Sequence, residues 1–500
     1  MKKLFILIIS LIYIFTCAIV PVQASPPDFA GGINDENTYE EVVFLSGEPV
    51  KFSSQGGKFT VKETEKDTMK TVSYTIKLTS VTAGITGTLD RSFKLVTTSQ
   101  PDTVRGQTIA TSEIKSFKES ITIGSDTFTL KKNSGYQFSK SDIIDNRPAS
   151  DFYSGTLTAR KYYEINDGEG TAIVDINGGI VGYDNFWGNT ETQILNYSIA
   201  VDRTVDDEEI SWTGLVKALV TDSMTKRLEY TQTQADYSSF NGGYMRITDH
   251  SMASAYEYDL PVFTGNIPST SSRNNSEIHL SRELMPRVER LVVPKFRDTS
   301  GHWAQEAIEK LYGLEVYEGN SAFFLPSIPM TRLDFIHGVV KACNIRAGQD
   351  ATTQKKSSKK TPAEVSPYTD LPATDANYAY VKDAVAKGIA QSMSPTYFGA
   401  SEGVTRAQAV AILIKALGFD SKAPSPPFQT SFADDADIPA WARDSVYVAR
   451  EIGLISGDSN YFRPNKVMTR AEASVMLENF LVFLQKDLQE DYRDKIVLYN

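Results

Sequence analysis

One pattern recurs three times between residues 290 and 485, and it dictates what this stretch can become. The first copy runs from Phe296-x-Asp298 through Trp303 and Gly319 to Phe324-Leu325-Pro326 and Thr331-Arg332-Leu333-Asp334. The third runs from Phe432-x-Asp434 through Trp441, Gly453 and Gly457 to Phe462-Arg463-Pro464 and Thr469-Arg470-Ala471-Glu472. From the Trp to the Thr these two align without a gap. The middle copy keeps Tyr368-x-Asp370, Gly388-Ile389, Phe398 and Thr405-Arg406-Ala407-Gln408.

The spacing has a mechanical meaning. In each copy a Thr is followed three residues later by Asp, Gln or Glu, then by an apolar helical stripe such as Val410, Leu413, Ile414 and Leu417. Thr-x-x-Glu/Gln is a capping box, in which the Thr hydroxyl accepts from the N3 amide and the N3 side chain reaches back. Asp334 is the shorter variant and is expected to close its box poorly. An earlier stripe, Trp303, Ala307, Ile308 and Leu311, makes each copy helix, loop, helix. The Arg falls at the first helical position, beside the positive end of the helix dipole, where a cation is locally unfavourable. Two explanations stand level. The Arg and the helix amides together receive an anion such as a carboxylate, or the Arg pairs with the Asp of Phe-x-Asp.

These copies resemble S-layer homology domains, which occur in threes in proteins of the bacterial cell surface. The resemblance covers about Pro294 to Leu484. It implies a C-terminal all-α, pseudo-threefold bundle whose grooves bind secondary cell-wall polysaccharide, often through a pyruvate ketal. By position it implies ligand roles for Asp298, Trp303, Gly319, Arg332, Asp370, Arg406, Asp434, Trp441, Gly457 and Arg470. The two Trp are expected on a core stripe with one edge exposed to a sugar. The middle copy departs from the pattern, with Ala376 in the Trp slot, Ser392 for the second Gly and Ala400 for the Pro. Unequal grooves follow, with the middle motif weak and Arg470 mattering more than Arg406.

Residues 25–264 read as β. Val72, Tyr74, Ile76 and Leu78 alternate with polar residues, which gives one buried face. Ile121 to Leu130 reads as a hairpin turning at Gly124-Ser125-Asp126, and Thr171 to Val181 as another turning at Asn177-Gly178. Many such strands suggest an antiparallel, sandwich-like fold, so the chain is expected to be multidomain. The boundaries are a signal peptide at 1–24, β-rich domains at 25–264, a linker at 265–290 and a first repeat at 291–350. A basic linker and second repeat follow at 351–422, a third repeat at 423–485 and a tail at 486–500.

Met1-Lys2-Lys3, the apolar run from Leu4 to Val20 and Val22-Gln23-Ala24 form a secretory signal cut after Ala24. The mature chain then keeps Cys343 alone, has no internal disulfide and has no membrane span. Net charge is −11, which excludes a broad grip on nucleic acid. Four His leave little for a metal site, and no cofactor or metal is expected. Between Ser25 and Pro261 no nucleophile elbow, metal-binding His pair or phosphate loop occurs. His250 receives no role, and Asp206 to Glu209 and Asp167 to Gly170 read as solvated turns. The expectation is a non-enzymatic protein displayed on the cell wall or S-layer, with wall polysaccharide and other surface-layer proteins as partners. The alternative is a wall-anchored glycan-active enzyme with a carboxylate pair in the β half.

Overall fold

The computed structural model describes residues 29–490, apart from 36–37, 133, 206, 232–242, 266, 292, 294–295, 320 and 346–363. The signal peptide at 1–24, the basic stretch 354–360, Asp206 and the tail beyond 490 lie outside the described residues.

The N-terminal half is all β. Its strands are β1 (Ile33–Asn34), β2 (Tyr39–Val43), β3 (Val50–Lys66), β4 (Met69–Ser80), β5 (Gly87–Asp102), β6 (Gln107–Ile123), β7 (Asp126–Leu130) and β8 (Tyr136–Asn146). They continue as β9 (Asp151–Ile165), β10 (Gly170–Asp184), β11 (Gly188–Val205), β12 (Glu208–Thr231), β13 (Gly243–Thr264), β14 (Ile267–Glu283) and β15 (Arg287–Arg290). All belong to one 15-stranded antiparallel sheet in near-sequential order, where separate sheets were expected. The sheet curls, so that its first residues meet its last strands. Ser254 Oγ of β13 donates to Gly31 O at 2.7 Å, and Arg282 of β14 pairs with Glu40 of β2 at 2.6 Å.

Alternation works as read in β4, where Val72, Tyr74, Ile76 and Leu78 are all buried. The hairpin between β6 and β7 also turns where expected, with Ile123 opposite Asp126. The Asn177-Gly178 turn does not exist. Both residues lie mid-strand in β10, opposite Asn196 and Leu195 of β11. A Cβ on Gly178 would sit 2.6 Å from Ile194 O, so this glycine permits close strand approach. The expected linker is likewise strand: β14 and β15 pair with β13. Most of β14 is exposed on both faces, which removed the alternation that marks a half-buried strand.

Inside the curl, Arg91 is fully buried between Glu41 (2.7 Å) and Glu119, and Lys161 joins Glu119 at 3.1 Å. Burial opposes ionisation of Glu119, but Arg91 and Lys161 outweigh it and hold its carboxyl down at about 2.

The C-terminal region is helical. Its helices are α1 (Gln305–Gly313), α2 (Arg332–Ala342), α3 (Tyr378–Ala386), α4 (Arg406–Leu417), α5 (Ala440–Glu451) and α6 (Arg470–Val482). A π-turn (Phe483–Asp487) and α7 (Leu488–Glu490) extend α6. No helix among the described residues is long and apolar enough to cross a membrane. Cys343 is a buried free thiol just after α2.

The two regions share one core. Tyr183 and Trp187, at the turn from β10 to β11, pack with residues of α2, α4 and α6. The ends of all three helices meet a donor from the β half. Trp187 Nε1 donates to Ala342 O at 2.7 Å, Ala149 N to Ala416 O at 3.0 Å and Asn185 Nδ2 to Leu484 O at 3.3 Å. Helix C-termini leave four carbonyls unpaired, and the β half supplies partners for one on each helix.

Candidate functional site

The site is built where one repeat hands over to the next. Thr331, Thr405 and Thr469 cap α2, α4 and α6, accepting from Asp334, Gln408 and Glu472 N. The box closes reciprocally at Thr405 and Thr469. Asp334 does not complete its box, as its shorter side chain implied.

Two residues before each Arg, backbone hydrogen bonds form a closed cycle. Met330 N donates to Met468 O (2.9 Å), Met468 N to Val404 O (3.0 Å) and Val404 N to Met330 O (2.9 Å). The Arg amides follow the same sense: Arg332 N to Glu402 O, Arg406 N to Lys466 O and Arg470 N to Ile328 O. The next amides, of Leu333, Ala407 and Ala471, bond to Ala400, Pro464 and Pro326 O. The first three helix amides are therefore spent inside the fold. This corrects the expectation that they would join the Arg in holding an anion.

Each guanidinium also crosses to the neighbouring repeat. Arg332 lies over Phe398 (5.1 Å), Arg406 over Phe462 (5.6 Å) and Arg470 over Phe324 (4.5 Å). The Asp of Phe-x-Asp serves a different end. Asp298 accepts from Phe324 and Leu325 N, Asp370 from Phe398, Gly399 and Ala400 N, and Asp434 from Phe462 and Arg463 N. Burial pushes Asp298 and Asp370 up, and the amide donors outweigh it and hold both below the ordinary carboxylate value. These carboxylates brace the turn at Leu325, Gly399 and Arg463, all with positive φ. The internal Arg–Asp pair considered above does not form. Asp and Arg bear on the same Phe, whose turn the Asp holds and whose ring the Arg covers.

The three guanidiniums differ. Arg332 is 6% exposed, and its Nε donates to Phe398 O and its other end to Gln391 O. Burial without a carboxylate partner lowers its pKa. Arg406 and Arg470 are half-buried, and their Nε atoms have no hydrogen-bond partner among the described residues. Arg470 reaches Asp334 only at 3.9 Å. The closed position is thus the one where Arg332 meets the degenerate middle copy, not Arg406 itself.

Trp303 and Trp441 are 65% and 60% exposed, which corrects their assignment to the core. The two indoles turn flat apolar faces to solvent at matching places in the first and third copies. Gly457 is enclosed instead: a Cβ there would meet the Phe432 ring at 2.8 Å. Gly319, with φ 144°, has only Tyr312 Oη nearby, at 3.9 Å. One set was missed. Phe323, Tyr397 and Tyr461 precede the buried Phe of each copy and are all exposed. An aromatic before Phe in three aligned copies was the available signal.

In the β half, Asp126 and Glu169 share the donors Asn166 and Arg203. Arg203 and Asn166 hold the Asp126 carboxyl below its ordinary value, against burial. This network ties neighbouring turns together.

The S-layer homology domain family matches the chain at residues 295–336, 367–410 and 431–474. An exoglucanase XynX of Acetivibrio thermocellus is 29% identical over 189 residues, 37% of this chain and 16% of that protein. An endoglucanase of Bacillus sp. (strain KSM-635) is 28% identical over 134 residues, covering 26% and 14%. An amylopullulanase of Thermoanaerobacterium thermosulfurigenes is 27% identical over 193 residues, covering 37% and 9%. The chain thus spans less than a fifth of each relative. All three bear enzyme names, which overturns the expectation of a surface protein without catalysis. The chain carries three S-layer homology domains in its C-terminal region, and it is a secreted, wall-associated protein.

Proposed function

We propose that the chain is a wall-anchored enzyme acting on glycans, held by its repeats and working through its β half. The anchor is a pseudo-threefold bundle, a reading supported by the closed backbone cycle of Met330, Val404 and Met468. Its ligand is an anionic secondary wall polysaccharide, gripped through a pyruvate ketal. One observation carries this: Arg406 and Arg470 each present a half-buried cation over an aromatic ring with Nε unmet. Trp303, Trp441, Phe323 and Tyr461 offer faces on which sugar rings can stack. Asp298, Asp370 and Asp434 shape the turns of the grooves, and Gly319 leaves one approach open. The enzyme names of the relatives support the catalytic part.

Sedimentation of the full chain with purified wall sacculi tests the anchor. Retention is expected on intact sacculi and loss after the secondary polymer is stripped. Equal retention on stripped walls would remove the polysaccharide reading. Release of reducing ends from soluble glucans by the full chain tests the catalytic part.

A further inference from the structure

The curled sheet has two ends. At one, Ala149, Asn185 and Trp187 fasten it to the helices. β10 spans the sheet from the other end to that joint, and its 15 residues, at about 3.3 Å each, separate the two by roughly 50 Å of strand. At the far end the strand termini stand side by side. Gly87 opposes Ile123, Ile123 opposes Asp126, Phe128 opposes Ile165, Ile165 opposes Gly170 and Gly170 opposes Arg203. The turn from β2 to β3 closes the ring against β13, since a Cβ on Gly47 would run into the Phe263 ring. These turns surround an open cleft of about 680 Å³. Its floor is apolar: Leu45, Ile123, Phe128, Val201, Ile210 and Trp212 are buried residues that line it. Trp212 meets Phe263 edge-on, with ring centroids 6.0 Å apart. Gly84, Gly124 and Gly265 also line it, and a Cβ on any of them would meet nothing within 4 Å, so the lip is clear there. An apolar cleft of about 300–1,000 Å³ at the mouth of a β-barrel, with a few polar groups, is a preferred setting for a small ligand.

The charged groups around the cleft are unbalanced. The turns at 45–49, 81–86, 124–125, 166–169, 207 and 265 carry Glu48, Asp167, Glu169 and Asp207, and no Lys, Arg or His. Arg203 is the one cation among the lining residues, and it is committed to Asp126 and Glu169. On adjoining strands Lys51 is paired with Glu40 at 2.9 Å and Arg273 with Asp259 at 2.6 Å. The three acids of the lining are not equally engaged. Asp126 accepts from Arg203 on both oxygens, at 2.7 and 3.0 Å, and from Asn166, so it is spent. Glu169 uses Oε2 alone, on Asn166 at 2.7 Å and Arg203 at 3.4 Å. Glu48 is exposed on the turn from β2 to β3, and its carboxylate has no partner among the described residues.

We propose that this cleft binds a small organic cation, with its apolar body on the floor beside Trp212 and its ammonium on Glu48. The open Oε1 of Glu169 is a second acceptor. An ammonium has three protons to donate and no acceptor, which suits carboxylate oxygens left without donors. An anion of the same shape would meet acids that no free cation offsets. This site goes beyond the wall attachment and the glycan reading and uses neither. Because it stands at the end of the sheet away from the helices, filling it leaves the anchor untouched, and the two can be read separately.

The test titrates the full chain with phenylbutylammonium, phenylbutanol and phenylbutyrate, one apolar body with three heads, and reads binding by saturation-transfer NMR at low salt. Wild type is expected to bind the ammonium tightest, the alcohol more weakly and the carboxylate weakest, with added salt closing the gap. Glu48→Gln is expected to weaken the ammonium about tenfold and to leave the alcohol and sacculus binding unchanged. The unchanged alcohol shows that the cleft is still folded. Carboxylate binding as tight as that of the ammonium would overturn the charge argument. Full ammonium affinity in Glu48→Gln would overturn the placement of the head group. Binding of none of the three by wild type would overturn the cleft as a ligand site and leave the anchor and the glycan reading standing.

Discussion

The repeats and the β half solve the same problem, a buried cation, in opposite ways. In the β half, Arg91 is enclosed by two carboxylates and its network is complete. In the repeats, Arg406 and Arg470 rest on aromatic rings with one nitrogen unmet. A satisfied guanidinium stabilises its own fold. In the proposed function, the arginines without a close carboxylate are the ones that receive an anion from outside.

The largest effect should come from breaking the complete network. Glu119→Gln leaves Arg91 and Lys161 under-compensated, at a cost of about 3–5 kcal/mol in chemical denaturation. The Glu119 carboxyl is held near 2 in the fold, below its unfolded value. Its stabilisation is therefore present above the ordinary carboxylate range and lost as pH falls towards 2. The gap between wild type and variant should narrow along that path. A constant gap would deny the network its electrostatic character.

Trp187→Ala comes next. It empties a buried indole site and orphans Ala342 O, costing about 3–5 kcal/mol. Calorimetry should then resolve two transitions where the parent shows one. A single unshifted transition would mean that Trp187 does not couple the two regions.

Smaller effects should separate the arginines. Arg470→Ala and Arg406→Ala are expected to weaken sacculus binding about tenfold each, ~1.4 kcal/mol, with Arg470 the stronger. Arg332→Ala should leave binding nearly intact and lower the melting temperature instead, because it bonds carbonyls inside the fold. The reverse pattern would erase the distinction drawn above. The smallest change is at the caps: Thr469→Ala and Thr405→Ala should cost about 1 kcal/mol in thermal melts. Thr331→Ala should cost less, since its box is open.

The caps were legible in the sequence because their partners lie three residues apart. The Arg partners were not, because each crosses to another copy, from Arg332 to Phe398, Arg406 to Phe462 and Arg470 to Phe324. Asn177-Gly178 misled because the local turn signal was overridden by strands pairing on both sides. Residues 267–283 misled for the opposite reason: an edge strand with two wet faces carries no alternation.

The three helix ends held by Ala149, Asn185 and Trp187 have a mechanical consequence. A tethered module swings on its linker and samples a sphere of positions. This one is fastened at three points, so the two regions turn as a single body and the heading of one fixes that of the other.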